Sequence, residues 1–201
     1  MMDRLASLRQ KVTELYQAKD PNRSDWTDWL FAHHVFVVVD NAKALAERYG
    51  ANAELAQAAA LLHDIADVKM KRFDTDFDAE SLKIARELMK ASGYRSDEVR
   101  LVVDDAIALH SCPGGQRPQS KEGLVLATAD ALAHFTTDYY TGATRLLAQE
   151  GMPAADIQAW VLKKTERDFA EKICFDDIRE ETRPSYEMSR TLFARSSAKE
   201  P

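Results

Sequence analysis

The chain has 201 residues, 45% of them hydrophobic, which is enough to enclose the core of one domain with or without a helical appendage and too little for a second full domain. Its 33 acidic residues outnumber 27 basic ones, and the net charge of -6 is spread along the chain, which excludes a basic stripe and with it a nucleic-acid polymer as expected partner. The opening MMDRLASLRQ has no apolar run behind its charges, and VFVVV and AQAAALL fall far short of a membrane span, so a cytoplasmic protein with no membrane partner is expected.

Glycine and proline are sparse, and no stretch alternates apolar and polar residues long enough for a sheet, so the chain reads as helices throughout. Leu5, Leu8, Val12 and Leu15 mark a first amphipathic helix, and Pro21 to Ser24 form a break. A long helix then runs from about Asp28 to Tyr49, closed by Gly50. Asn52 caps the next, alanine-rich helix, which runs through Leu61 and Leu62 to His63 and Asp64. An acidic, lysine-containing loop from Lys69 to Asp78 leads into a helix ending before Gly93, and Ser96 starts another that ends near His110. SCPGGQRPQSK is the clearest loop, and Ser120 caps the helix GLVLATADALAHF. Pro153 suits a first helical position, and a polar helical stretch continues to Pro184 before one last helix. Cys112 and Cys174 have no CxxC spacing and read as reduced thiols.

Four positions stand out chemically. Asp130 lies inside an apolar helical run, and a buried carboxylate needs a cation, strong hydrogen bonds or a raised pKa, so either an ion or an ordinary salt bridge answers its need. His63 and Asp64 follow an apolar helix directly; neighbouring helical residues point about 100° apart, so both reach one ion only if it sits beyond the helix end. In the long helix, His34 shares a face with Phe31, Val38, Ala42, Leu45 and Tyr49 and points inward. His33 falls in line with Leu30, Val37, Asp40, Ala44 and Arg48, at the boundary. Taken singly, each of these residues also fits a hydrogen-bonded structural role.

Together they resemble the HD superfamily of metal-dependent phosphohydrolases, whose signature is a histidine, a His-Asp pair and a distant aspartate. HVFVVVDNAKALAERYGANAELAQAAALLHDIAD, from His34 to Asp67, is similar to the family's first two motif helices, and SKEGLVLATADAL, from Ser120 to Leu132, to its last. The resemblance covers about residues 26–140 and implies an all-α fold. Residues 1–25 are then an N-terminal helix and linker, 26–140 a compact HD-domain bundle, and 141–201 additional helices packed on the same domain. The last third offers no motif. The implied ligands are His34, His63, Asp64 and Asp130, a nitrogen and oxygen set that suits Mn²⁺, Fe²⁺, Co²⁺ or Mg²⁺ and does not exclude Zn²⁺. Such an ion keeps open positions, which suits hydrolysis of a phosphoester in a small metabolite or a nucleotide.

Around these positions, His110 points inward before the glycine-rich loop and has either a structural role or one toward substrate phosphate or a second ion. Asp67 serves either as general acid or base or as a loop cap. Lys69, Lys71 and Arg72 after the His-Asp pair, and Arg117 in the loop, are placed to meet a phosphate, ahead of Lys163, Lys164 and Arg167. Trp26 and Trp29 either line the mouth of a pocket or staple the long helix, and His134 supports the ligands or is merely buried. The expected partner is a small phosphorylated substrate, and a homo-oligomer is compatible with the sequence. The competing readings are a non-catalytic metal-containing binding module and a di-iron oxygenase, which needs more ligands than these.

Overall fold

The computed structural model describes residues 3–195, and among them the regular structure is entirely helical. Helix α1 (Arg4–Gln17) starts where the Asp3 side chain accepts a hydrogen bond from the Leu5 amide, and it buries Leu8, Val12 and Tyr16. After the break come α2 (Thr27–Leu30) and α3 (Phe36–Tyr49), joined into one continuous helix by a π-helical turn at Phe31–Val35. Gly50 ends α3 with φ at 67°, a left-handed closure open to glycine without steric cost. The Asn52 side chain then accepts from the amides of Glu54 and Leu55, which fixes the start of α4 (Ala53–Leu62).

A short 3-10 turn (Ile65–Val68) leads to α5 (Phe77–Ala91), and α6 (Ser96–Arg100) runs on through a second π turn, Leu101–Ile107. Ser96 starts α6 as expected, and the Glu98 carboxylate in the first turn holds that start by accepting from the Arg95 amide at 2.8 Å. Helix α7 (Lys121–Thr136), capped by Ser120 accepting from the Gly123 amide, is buried along nearly all its length. It packs against α3 and α4, and small residues on all three, such as Ala42, Ala46, Ala56, Ala59 and Ala129, line the core between them. Such side chains let helix axes approach closely.

The chain continues with α8 (Tyr139–Gln149), α9 (Ala154–Arg167), a third π turn (Asp168–Lys172) and α10 (Asp176–Arg195); α8, α10 and that π turn all contact α7. Pro153 precedes α9 as its cap residue instead of occupying the first helical position. The break expected at Pro184 lies earlier, because α10 runs through Pro184 while the chain leaves the helix at Ile173. Thr128 on α7 accounts for that break: its hydroxyl donates to the Lys172 carbonyl and accepts from the Cys174 amide, replacing the bonds a continuous helix would make.

Candidate metal centre

Three elements bring the four residues of the signature together. His34 sits in the first π turn and is buried, whereas His33 is exposed and stacks on Trp29. Helix α4 ends at Leu62; His63 keeps helical dihedrals, and Asp64 departs at φ -125° and ψ 31°, so both side chains face the space beyond the helix end. Asp130 projects from α7 into the same space. Its Oδ1 lies 3.1 Å from His34 Nε2 and 3.8 Å from His63 Nε2, and Asp64 Oδ2 is 3.6 Å from His63 Nε2. His110 Nε2 stands 3.9 Å from Asp64 Oδ1.

Hydrogen bonds fix which ring nitrogens face the cluster. His63 Nδ1 lies 2.8 Å from the Ala60 carbonyl and His110 Nδ1 2.6 Å from the Ile107 carbonyl; a carbonyl only accepts, so each Nδ1 carries the proton. In the neutral rings Nε2 is then a free lone pair. Buried His63 Nε2 and Asp130 Oδ1 have no hydrogen-bond partner among the described residues, despite the close nitrogens around Oδ1. Burial lowers the pKa of His34 to about 3 and that of His110 to about 4, so both rings are neutral at physiological pH. Burial pushes the Asp64 and Asp130 carboxyls up, but the surrounding basic groups outweigh it, Arg72 foremost at Asp64 and His134 with Lys172 at Asp130, and both stay well below the usual carboxylate range.

Arg72 anchors the acidic side. Its guanidinium donates to Asp64 Oδ2 at 2.9 Å and to Asp67 Oδ2 through a second, shorter bond. Asp67 is fully buried behind it, its carboxyl raised to about 6 because desolvation outweighs Arg72, and it does not line the cavity in front of the cluster. That cavity has a volume of about 350 Å³ and is walled by Asp64, His110, Asp130 and aromatic residues including Trp26, Phe73 and Trp160. Five cations also line it, Arg72, Lys163, Lys164, Arg167 and Lys172, together with Asp78 and Ser111. Lys69 and Lys71 are exposed away from it. Arg117 donates to the carbonyls of Ala170 and Glu171, which ties the glycine-rich loop to the third π turn.

The residues missed by the sequence analysis come from the last third. Lys172 forms a close buried ion pair with Asp130 Oδ2, and Asp168 accepts from His134 Nδ1 at 2.8 Å. No spacing signal could find them, because they reach the cluster through a tertiary contact of the third π turn with α7. The one available hint was composition: KKTERDFAEK is rich in charge for a segment that turns out half-buried.

The donor set tests well against a divalent cation. Imidazole nitrogens and ionised carboxylates converge, three of their buried atoms (His34 Nδ1, His63 Nε2 and Asp130 Oδ1) lack hydrogen-bond partners among the described residues, and no thiolate is present in the group, which suits a hard or borderline ion. Fold and cluster together define an all-α protein with a buried histidine and aspartate centre at the end of a cationic cavity. Residues 31–134, just over half of the chain, match the HD domain family, and the chain belongs to that family. Its fold is similar to that of YpgQ from Bacillus subtilis, with a TM-score of 0.67 at 19% identity over 97% of this chain and 95% of that one. It is also similar to a protein from an uncultured Thermotogales bacterium described as a predicted HD superfamily hydrolase, with a TM-score of 0.56 at 22% identity over 95% of this chain and 90% of that one. No curated protein matches the sequence.

Proposed function

We propose that this protein is a metal-dependent phosphohydrolase that cleaves a phosphoester in a small metabolite or nucleotide, with His34, His63, Asp64 and Asp130 holding the ion. The observation that carries this reading is the meeting of two features: a buried donor cluster with unpartnered His63 Nε2 and Asp130 Oδ1, and a cavity reaching it that Lys163, Lys164 and Arg167 also line. A divalent ion there supplies Lewis acidity toward a phosphoryl oxygen and toward water. Lys163 is exposed on α9 with no ion-pair partner among the described residues, and with Lys164 and Arg167 it forms the surface that an incoming phosphate meets. Trp160 and Phe73 offer apolar faces for the organic part of a substrate. Arg72, itself paired with Asp67, holds Asp64 in place.

The experiment is a screen of phosphomonoesters and nucleotides with the metal-stripped protein, resupplied in turn with Mn²⁺, Co²⁺ and Mg²⁺. Hydrolysis that needs the ion and is reversibly lost on chelation supports the reading. Activity that persists unchanged in verifiably metal-free protein contradicts it, and a metal-loaded protein that turns over nothing in a broad screen favours a binding module.

A further inference from the structure

Asp168 is fully buried, and its carboxylate is occupied from several sides: His134 Nδ1 at 2.8 Å, the Tyr140 hydroxyl at 3.0 Å and Lys164 Nζ at 3.2 Å. An ionised carboxylate accepts and cannot donate, so the proton between the two groups belongs to His134 Nδ1. With Nδ1 turned to Asp168, the ring nitrogen left to face the cluster is Nε2, which stands 3.2 Å from Asp130 Oδ1. The His134 ring lies nearly parallel to that of His34, at 12° with centroids 5.1 Å apart, and both rings bring Nε2 beside the same carboxylate oxygen.

Two ligand atoms each about 2.1 Å from one ion and at right angles around it stand about 3 Å apart. His34 Nε2 at 3.1 Å and His134 Nε2 at 3.2 Å from Asp130 Oδ1 match that spacing, yet Oδ1 takes no aligned hydrogen bond from either ring. The ligand atoms of His34, Asp130 and His134 all lie within 4.8 Å of one another, a group that does not extend to His63 or Asp64. A histidine whose far nitrogen is held by a buried carboxylate is the usual support for a metal-binding imidazole, because the carboxylate fixes the tautomer and raises the basicity of the ring.

We propose that His134 is itself a ligand of the metal centre and that Asp168, from the third π turn, is the positioning residue that presents its Nε2. The last third of the chain thereby completes a site whose signature residues all lie before it. The inference rests on the metal-centre reading above and adds one imidazole to it.

The test uses the full-length, metal-free protein labelled with ¹⁵N-histidine and titrated with Zn²⁺, with His134 assigned by comparison with His134→Gln. On titration His134 Nε2 is expected to move to the range of a metal-bound nitrogen, with Nδ1 still protonated. His134→Gln is expected to lose about 10-fold or more in Zn²⁺ affinity, and Asp168→Asn about 10- to 100-fold while its His134 still becomes ligated at saturation. If Zn²⁺ binds the wild type and His134 Nε2 stays unshifted or carries a proton, the proposal is wrong and the four-residue centre stands. An Asp168→Asn variant with unchanged affinity overturns the positioning role. A wild type that binds no Zn²⁺ overturns both the centre and this addition to it.

Discussion

His33 and His34 are adjacent in sequence and sit in opposite environments, one exposed against Trp29 and the other buried beside Asp130. His34→Ala should therefore sharply reduce bound metal, whereas His33→Ala should keep both metal and fold; parallel metal assays of the two purified variants check this. Loss of the ion from His33→Ala alone would mean that the wrong ring has been placed at the centre. Burial also sets a pH dependence. His34 and His110 titrate at about 3 and 4 in the folded protein and near 6.5 when unfolded, so between those limits the unfolded chain binds the extra protons and stability falls as pH falls. Asp67, raised to about 6, works in the opposite sense, its contribution being lost as pH rises through that value. Two histidines outweigh one aspartate, so the net effect is a loss of stability as pH falls through this window. The urea midpoint of the metal-free protein should thus drop between pH 6.5 and 4.5, and a flat profile would contradict the neutral burial of these rings. Lys172 adds a third residue-scale test. Lys172→Met leaves Asp130 without its buried cation, so the metal-free protein should lose about 3 kcal/mol in urea unfolding. Its metal affinity should rise at the same time, because a competing charge has gone.

The helices themselves place these residues through three π turns. Phe31–Val35 carries His34, Leu101–Ile107 ends just before His110, and Asp168–Lys172 carries Asp168 and Lys172. A π turn adds a residue to the helical repeat and re-aims the side chains of the next turn, and such turns concentrate at functional sites. Periodicity and capping signals made much of this legible in the sequence: Gly50, Asn52 and Ser120 end and start helices as their side chains or φ angles demand. The inward turn of His34 was also readable, because its whole helix face is apolar. Pro184 was misleading, since the helix boundary is set instead by Thr128, a residue 45 positions before Ile173 whose hydroxyl intercepts the backbone there. Sequence distance from the His-Asp pair favours Lys69 and Arg117 over Lys163, Lys164 and Arg167, because it carries no information about a helix folded back over the cavity. Helix packing yields its own prediction. Gly142 on α8 faces the Trp29 indole so closely that any Cβ would overlap the ring, so Gly142→Ala should destabilise the protein by about 1–3 kcal/mol in urea unfolding. A neutral effect would show that the α2 and α8 contact yields easily.

Across the whole molecule the acidic chain gathers its cations where an anionic substrate would arrive. Its net charge is -6, yet Lys163, Lys164 and Arg167 all line the cavity at the centre. Reversing Lys163 and Arg167 to glutamate should raise KM for a phosphorylated substrate about 10-fold or more and weaken its salt dependence, with the bound metal unchanged. Equal KM in the variant would move substrate entry elsewhere. No helix among the described residues is long and apolar enough to cross a membrane. Everything proposed for the protein depends on an ion at the meeting point of α4, α7 and the first π turn, and elemental analysis of wild type against Asp130→Asn addresses it most directly. The amide keeps the shape of the carboxylate and removes its charge. Wild type is predicted to bind divalent metal stoichiometrically and Asp130→Asn to lose it with an unchanged circular dichroism spectrum; stoichiometric metal retained in folded Asp130→Asn would contradict the assigned centre.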